Sequence, residues 1–460
     1  MIPDQVLTFI KEHREQSVER LMELLAIPSV STDSAHAGEI EAAAAWVQHH
    51  LADTGLHAQT LPTSGHPCVV ARSPKGMAPK GAPTVLFYGH YDVQPPDPLE
   101  LWTSGPFEPE VRHGAVFARG ASDDKGQVLC FLEALRAWVR AADRLPLNVI
   151  VLIEGEEECG SPNLGPLLES HREQLKADVA LVSDTAMWDR KTLAITYALR
   201  GLVYFDIELH GPLRDLHSGV YGGTVANPAN LIARVLANLF DEKNRVTIPG
   251  FYDDVVPLSH QERQAWSALD FDEQAFLGNV GFAEGFGEAG YELLERRWAR
   301  PSCDVNGLYG GYAGEGAKTI IPRYAGAKLS FRLAPQQDPA RIAQLFENWL
   351  HRQPVGGCRW QITRHGEAAP VMVATDSPHM AAARRAGKAT TGREPVLVRE
   401  GATIPVAADF KKTLGLDTIL LGFGQHDDCI HAPNEKFELS SYDLGIRTHA
   451  TLLAELAGGR

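Results

Sequence analysis

The stretch LNVIVLIEGEEECGS, Leu147 to Ser161, runs an apolar, strand-like segment straight into four carboxylates, with Glu156, Glu157 and Glu158 adjacent. Like charges repel, and an unpaired buried carboxylate is costly. Two arrangements make such a run tolerable. It can be a solvated loop, the ordinary fate of a charge cluster, or its side chains can surround something strongly positive, for which a divalent metal is the obvious candidate. The strand feeding the acids decides the fold, because it is one beat of a longer rhythm.

From residue 83 onward, strand-like runs alternate with amphipathic helical ones: TVLFYGHYDV, GQVLCFLEALRAWVRAA, LNVIVLIEG, LGPLLESHREQL and ADVALVSD. The alternation resumes in REPVLVRE, IPVAADFKKTLG, DTILLGFG and a last helix in YDLGIRTHATLLAELAG. This pattern predicts an α/β fold whose mainly parallel sheet is flanked by helices. Between the two blocks the order changes to strand GLVYFDIELHG, helix NPANLIARVLANLF, a long polar stretch, strand AGAKLSFRLAP, helix PARIAQLFENWLHRQ and strand CRWQITRHG. A smaller α+β module, residues 199–368, is therefore expected inside an outer domain made of residues 1–198 and 369–460.

Bulk properties narrow the function. A chain of 460 residues is too long for one ordinary core, and 44% hydrophobic residues can fill two. A net charge of −15 argues against nucleic acid or an anionic membrane as partner and favours a small-molecule protein. The six cysteines are scattered without a C-x-x-C pair and read as reduced thiols. Leu7, Ile10, Val18, Leu21 and Leu25 lie at near-helical spacing among many charges, unlike a signal peptide, and no run approaches the ~18 apolar residues of a membrane span. A cytoplasmic location is expected.

Ligand sites in open α/β sheets gather at the carboxyl ends of the strands. The first run ends in YGHYDVQP, where alternation sends His90 and Asp92 to one face, so that the carboxylate can orient the imidazole as a metal ligand or form a plain structural pair with it. ARGASDDKGQ places Asp123 and Asp124 just before a helix, where acids also serve as caps. VALVSDT ends in Asp184, by itself an ordinary turn residue, and GQHDDCIHAPNEKF offers His426 and His431. Each signal is weak alone. Strand after strand nevertheless delivers Asp, Glu or His to the same edge, and that ligand set suits zinc or manganese. Two cations sharing a carboxylate would offset the crowded charge and leave one glutamate free as a base.

YGHYDVQP, ARGASDDKG, EGEEECGS, VSDT, DLHSGVYGG, AKTIIP, SFRLAP and HAPNEKF follow one another in this order. Together they resemble the carnosinase-type dipeptidases, of the co-catalytic zinc metallopeptidase family that also contains acetylornithine deacetylase, succinyl-diaminopimelate desuccinylase and glutamate carboxypeptidase. The resemblance spans nearly the whole chain. It implies a zinc-aminopeptidase-like catalytic domain with an inserted lid and dimerisation domain, and two divalent ions per subunit, zinc first with manganese or cobalt as alternatives. His90 and Asp184 would hold one ion, Glu158 and His431 the other, and Asp123 would bridge them, the bond that follows it, Asp123–Asp124, being cis. Asp92 would orient His90. Spacing alone does not choose between Glu157 and Glu158; the resemblance, anchored on Gly160-Ser161, makes Glu157 the general base. It further implies that His217 reaches the partner subunit's site in a homodimer, that Arg332 binds a substrate carboxylate, and that Thr319 and the backbone at Gly401 touch substrate.

The implied activity is hydrolysis of dipeptides or short peptides with a free carboxyl terminus. The competing readings are an N-acyl amino acid deacylase or desuccinylase, and a catalytically silent peptide-binding relative. GFGEAG, Gly285 to Gly290, matches a dinucleotide template, but no strand precedes it and Glu284 and Glu288 would repel phosphate. GEGAKT only grazes the phosphate-loop pattern, and no G-x-S-x-G elbow supports a serine hydrolase.

Overall fold

The computed structural model describes residues 2–458. By contact density the chain forms two compact units, one comprising the chain up to Tyr197 with Val373–Val398 and everything from Pro405 onward, the other Ala198–Met372 with Arg399–Ile404.

In the first unit a large sheet has four strands at its centre, Asn148–Glu154, Thr84–His90, Val179–Val182 and Thr418–Leu420, paired in that order and all parallel. Antiparallel strands form the margins: Cys68–Arg72 and His57–Leu61 on one side, Ala194–Leu199 on the other. The central strands are apolar without alternation because both faces are covered. Val85, Phe87, Val151 and Leu181 are all 0% exposed. Helix Lys125–Ala142 packs on the Thr84–His90 strand and against helix Leu439–Gly458, with the Phe87 and Phe131 rings stacked at 3.9 Å. Parallel order aligns the carboxyl ends of these strands on one edge, so His90, the acids after Glu154, and Asp184 leave the sheet on the same side.

The expected N-terminal helix is two, Asp4–Glu12 and Arg14–Leu25, divided at His13, whose Nδ1 turns back to the Phe9 carbonyl at 3.0 Å. No helix among the described residues is long and apolar enough to cross a membrane.

The second unit is built on four antiparallel strands in the order Ser302–Gly310, Tyr324–Leu333, Gly201–His210 and Arg359–Ala368. Gly201–His210 alternates strictly, so Val203, Phe205, Ile207 and Leu209 form one buried face. Helices Pro228–Ala237 and Pro339–His351 cover that face with Ile232, Val235, Ile342 and Phe346. Both begin with proline behind a capping side chain, Asn227 and Asp338 respectively. The polar stretch between strands folds into three short helices, His260–Ser267, Glu273–Gly278 and Leu293–Trp298.

Candidate metal centre

His90 ends its strand fully buried. Its Nδ1 faces two acceptors, the Asp92 carbonyl at 3.0 Å and the Asp92 carboxylate at 3.4 Å. Acceptors on that side put the ring proton on Nδ1 and leave the Nε2 lone pair pointing inward. Nε2 lies 3.1 Å from Asp123 Oδ1 yet is buried without a hydrogen-bond partner among the described residues. A lone pair aimed at a carboxylate oxygen is repulsive unless a proton or a cation lies between them. On the far side of Asp123, Oδ2 is 2.9 Å from His431 Nε2, which is also 3.3 Å from Glu158 Oε2. Two groups of ligand atoms result, each closed within 4.8 Å: His90, Asp123 and Asp184, and Asp123, Glu158 and His431. Asp123 belongs to both. His426 lies outside these groups.

The acid run divides into separate environments. Glu154 is buried and accepts hydrogen bonds from the Tyr88 and Ser161 hydroxyls. Glu156 accepts from the His66 amide at 3.0 Å and from Asn163 Nδ2 at 2.9 and 3.1 Å. The remaining two share one anchor: Asp92 receives the Glu157 amide on Oδ1 at 3.3 Å and the Glu158 amide on Oδ2 at 3.1 Å. Asp92 thus grips His90 and the acid turn together. Gln94 Nε2 donates to Glu158 Oε2 at 2.8 Å and fixes its orientation.

Burial and like charge dominate the titration of the cluster. Burial, then the neighbouring Asp123 carboxylate, lifts Asp184 to about 7. Burial also raises Glu157 far above the usual carboxylate range; Asp184, Asp123 and Glu158 reinforce this and His90 opposes it. Asp123 moves the other way: burial would raise it, but the hydrogen bond from His431 holds it well below normal. Hydrogen bonds to Asp123 and Glu158 push His431 up to about 10. The pocket demands positive charge.

The Asp123–Asp124 peptide is cis. Asp124 stands at the N-cap of helix Lys125–Ala142 without making a side-chain cap bond. Behind it, Glu435 accepts the amides of Gly120, Ser122 and Asp123 at 3.0–3.1 Å and pairs with Arg119 at 2.6 Å. Glu435, Arg119 and Gln94 were given no role from the sequence; the signal available for each was its place in a short motif with a candidate ligand, Gln94 with His90, Arg119 with Asp123 and Glu435 with His431.

The other expected residues belong to the second unit. His217 pairs with Ile320, so the Ser218 amide reaches the Thr319 carbonyl at 3.1 Å. His217 is exposed, and its Nδ1 accepts the Gly219 amide at 3.0 Å, which places the neutral ring's proton on Nε2. Arg332 Nη1 donates to Thr403 Oγ1 at 2.9 Å, and Thr403 Oγ1 donates to the Arg200 carbonyl at 2.7 Å. Gly401 accepts from Arg200 Nε at 3.0 Å, and a Cβ there would lie 2.8 Å from Arg200 Nη2.

Residues 86–455 match the description "Peptidase family M20/M25/M40". A Cys-Gly metallodipeptidase of Candida albicans is 32% identical over 95% of this chain and 94% of its own length. An M20-family metallo-carboxypeptidase from Sulfolobus solfataricus superposes with a TM-score of 0.87 at 33% identity, covering 96% of this chain and 99% of that one. Human carnosine dipeptidase 1 superposes at 0.84 with 29% identity over the whole of both chains.

Proposed function

The chain belongs to peptidase family M20/M25/M40, and from that premise we propose a residue-level reading of how it hydrolyses its substrate. The protein is a metal-dependent dipeptidase. We take its substrates to be dipeptides and short peptides with a free carboxyl end. The observation that carries this is the buried Nε2 of His90, without a hydrogen-bond partner among the described residues, beside a carboxylate that two ligand groups share.

Two divalent ions, of a kind such as zinc or manganese that this donor set suits, would be held by His90 and Asp184, by Glu158 and His431, and by Asp123 between them. When bound, they supply Lewis acidity toward the scissile carbonyl and the attacking water. Glu157, the carboxylate of the acid turn that lies outside both ligand groups, takes the water's proton and delivers it to the leaving amine. Asp92 keeps His90 in the tautomer that offers Nε2 inward. Arg332 pairs its planar fork with the substrate's terminal carboxylate, with Thr319 and the Gly401 backbone as further contacts. His217, its Nε2 proton free to donate, stabilises the developing oxyanion in the other subunit of a homodimer. Support for the dimer comes from the segment carrying His217, which exposes Leu213 (96%), Val220 (66%) and Tyr221 (39%), an apolar run more typical of an interface than of free surface. We place the protein in the cytoplasm, in keeping with six unpaired cysteines.

The test is to strip metal with a chelator and assay Cys-Gly, other dipeptides, and N-acetyl and N-succinyl amino acids before and after adding zinc, manganese or cobalt. Zinc-restored cleavage of dipeptides with little action on acyl amino acids is expected. Preferential deacylation would overturn the substrate assignment, and activity that survives complete metal removal would overturn the mechanism.

A further inference from the structure

A cavity of about 620 Å³ lies within the second unit, apart from the residues assigned above to the reaction. The glycine-rich GFGEAG segment, unsuited to a dinucleotide, forms part of its wall, through Gly285, Phe286 and Gly287. The volume falls in the range of small-molecule pockets, and much of the lining is aromatic or aliphatic.

Its arginines divide into two kinds. Arg297 is committed to Glu400 at 3.0 Å and Arg300 to Glu288 at 2.7 and 2.8 Å. Glu288, the acid that would have repelled an anion, is thereby neutralised. Arg296 has no such partner: its Nε is buried with no hydrogen-bond partner among the described residues. Glycine makes room for it, since a Cβ at Gly287 would meet Arg296 Cδ at 3.0 Å. Arg200, also in the lining, donates to the Gly401 and Arg300 carbonyls and the Ser302 hydroxyl. Arg296, a guanidinium with no carboxylate partner among the described residues, set into an apolar wall beside Arg200, whose neighbours include the Glu400 and Asp304 carboxylates, is an anion site by composition.

We infer that this cavity binds a carboxylate carried on an aromatic or branched apolar body, with Arg296 holding the carboxylate and Phe286 covering the apolar part. A monoanion suits one uncommitted planar fork beside hydrophobic walls better than a phosphate, which calls for more donors. The site goes beyond the hydrolytic reading and does not depend on it.

The probe is 3-phenylpropionate, which has no amide bond to cleave, titrated calorimetrically into the metal-loaded full chain. Binding should weaken at least about tenfold in Arg296→Gln and several-fold in Phe286→Ala, a change at an 88% exposed side chain that leaves packing undisturbed. It should persist in Arg332→Gln. Loss in Arg332→Gln with retention in Arg296→Gln would put the ligand at the reaction site and overturn the inference. So would the absence of binding, or equal binding of inorganic phosphate. Hydrolysis of Cys-Gly on the same sample reports separately on the dipeptidase reading.

Discussion

Glu157 and Glu158 are consecutive, yet their side chains are assigned different work, and the cause is Asp92. By accepting both amides it fixes the turn that aims Glu158 at His431 and leaves Glu157 to one side. Glu157→Gln keeps the shape and removes the proton acceptor. Steady-state kinetics should show kcat lower by about 10³-fold, with metal content by elemental analysis unchanged. Near-normal turnover would remove Glu157 from the base role. Asp92→Asn tests the anchor itself. An amide has one acceptor oxygen where the structure uses both, so one amide of the acid turn loses its tether and His90 Nδ1 keeps only the Asp92 carbonyl. Metal retention against a competing chelator should fall roughly 10–100-fold, the usual cost of losing a partner behind a metal-binding histidine. Unaltered retention would mean that the backbone carbonyl of residue 92 is enough to orient His90.

Helix Leu439–Gly458 shows what an element adds. Most of its length is buried, and it carries His449 into a nest of Phe87, Phe131 and Phe423. There one ring nitrogen meets the Ser183 hydroxyl at 2.9 Å and the other has no partner among the described residues. Burial drives its pKa down to about 3 from 6.5. Between those values the unfolded chain binds a proton that the folded chain refuses. Stability from this group is therefore complete above about pH 6.5 and falls as pH drops toward 3, by up to ~1.4 kcal/mol per unit. In His449→Gln, urea midpoints measured between pH 7 and 5 should decline less steeply than in the parent; identical slopes would show that His449 protonates in place. The same scale explains what could be read beforehand. The central strands announce themselves as unbroken apolar runs, and parallel order then brings their terminal His90 and Asp184 toward Asp123. Arg119 and Glu435 were illegible because they meet across 316 positions, and burial of polar groups leaves no periodic trace. The antiparallel margins were missed for a related reason: a short strand's direction is set by its connection, not by its composition. In residues 260–298 short capped helices replace any sheet rhythm, so no pattern forecast the cavity.

At the scale of the whole molecule the open matter is whether one chain suffices for catalysis. His217 turns its Nδ1 inward to the Gly219 amide and so offers a donor on Nε2, but it does so from an exposed segment flanked by Leu213 and Val220. A donor held at the surface beside uncovered apolar side chains makes sense if a second copy covers them and receives it. Complementation decides the matter more cleanly than the oligomeric state, because a dimer can exist without sharing its sites. His217→Ala alone and Glu157→Gln alone should both be nearly inactive. If His217 serves the other subunit, a mixed dimer of the two variants has one site with both defects and one site intact. Random reassortment of equal amounts should then restore about a quarter of the parental activity, since half the dimers are mixed and each has one working site. If His217 served its own chain, every site in the mixture would carry one defect, and dissociating and re-mixing the variants would yield no more than the sum of their separate rates.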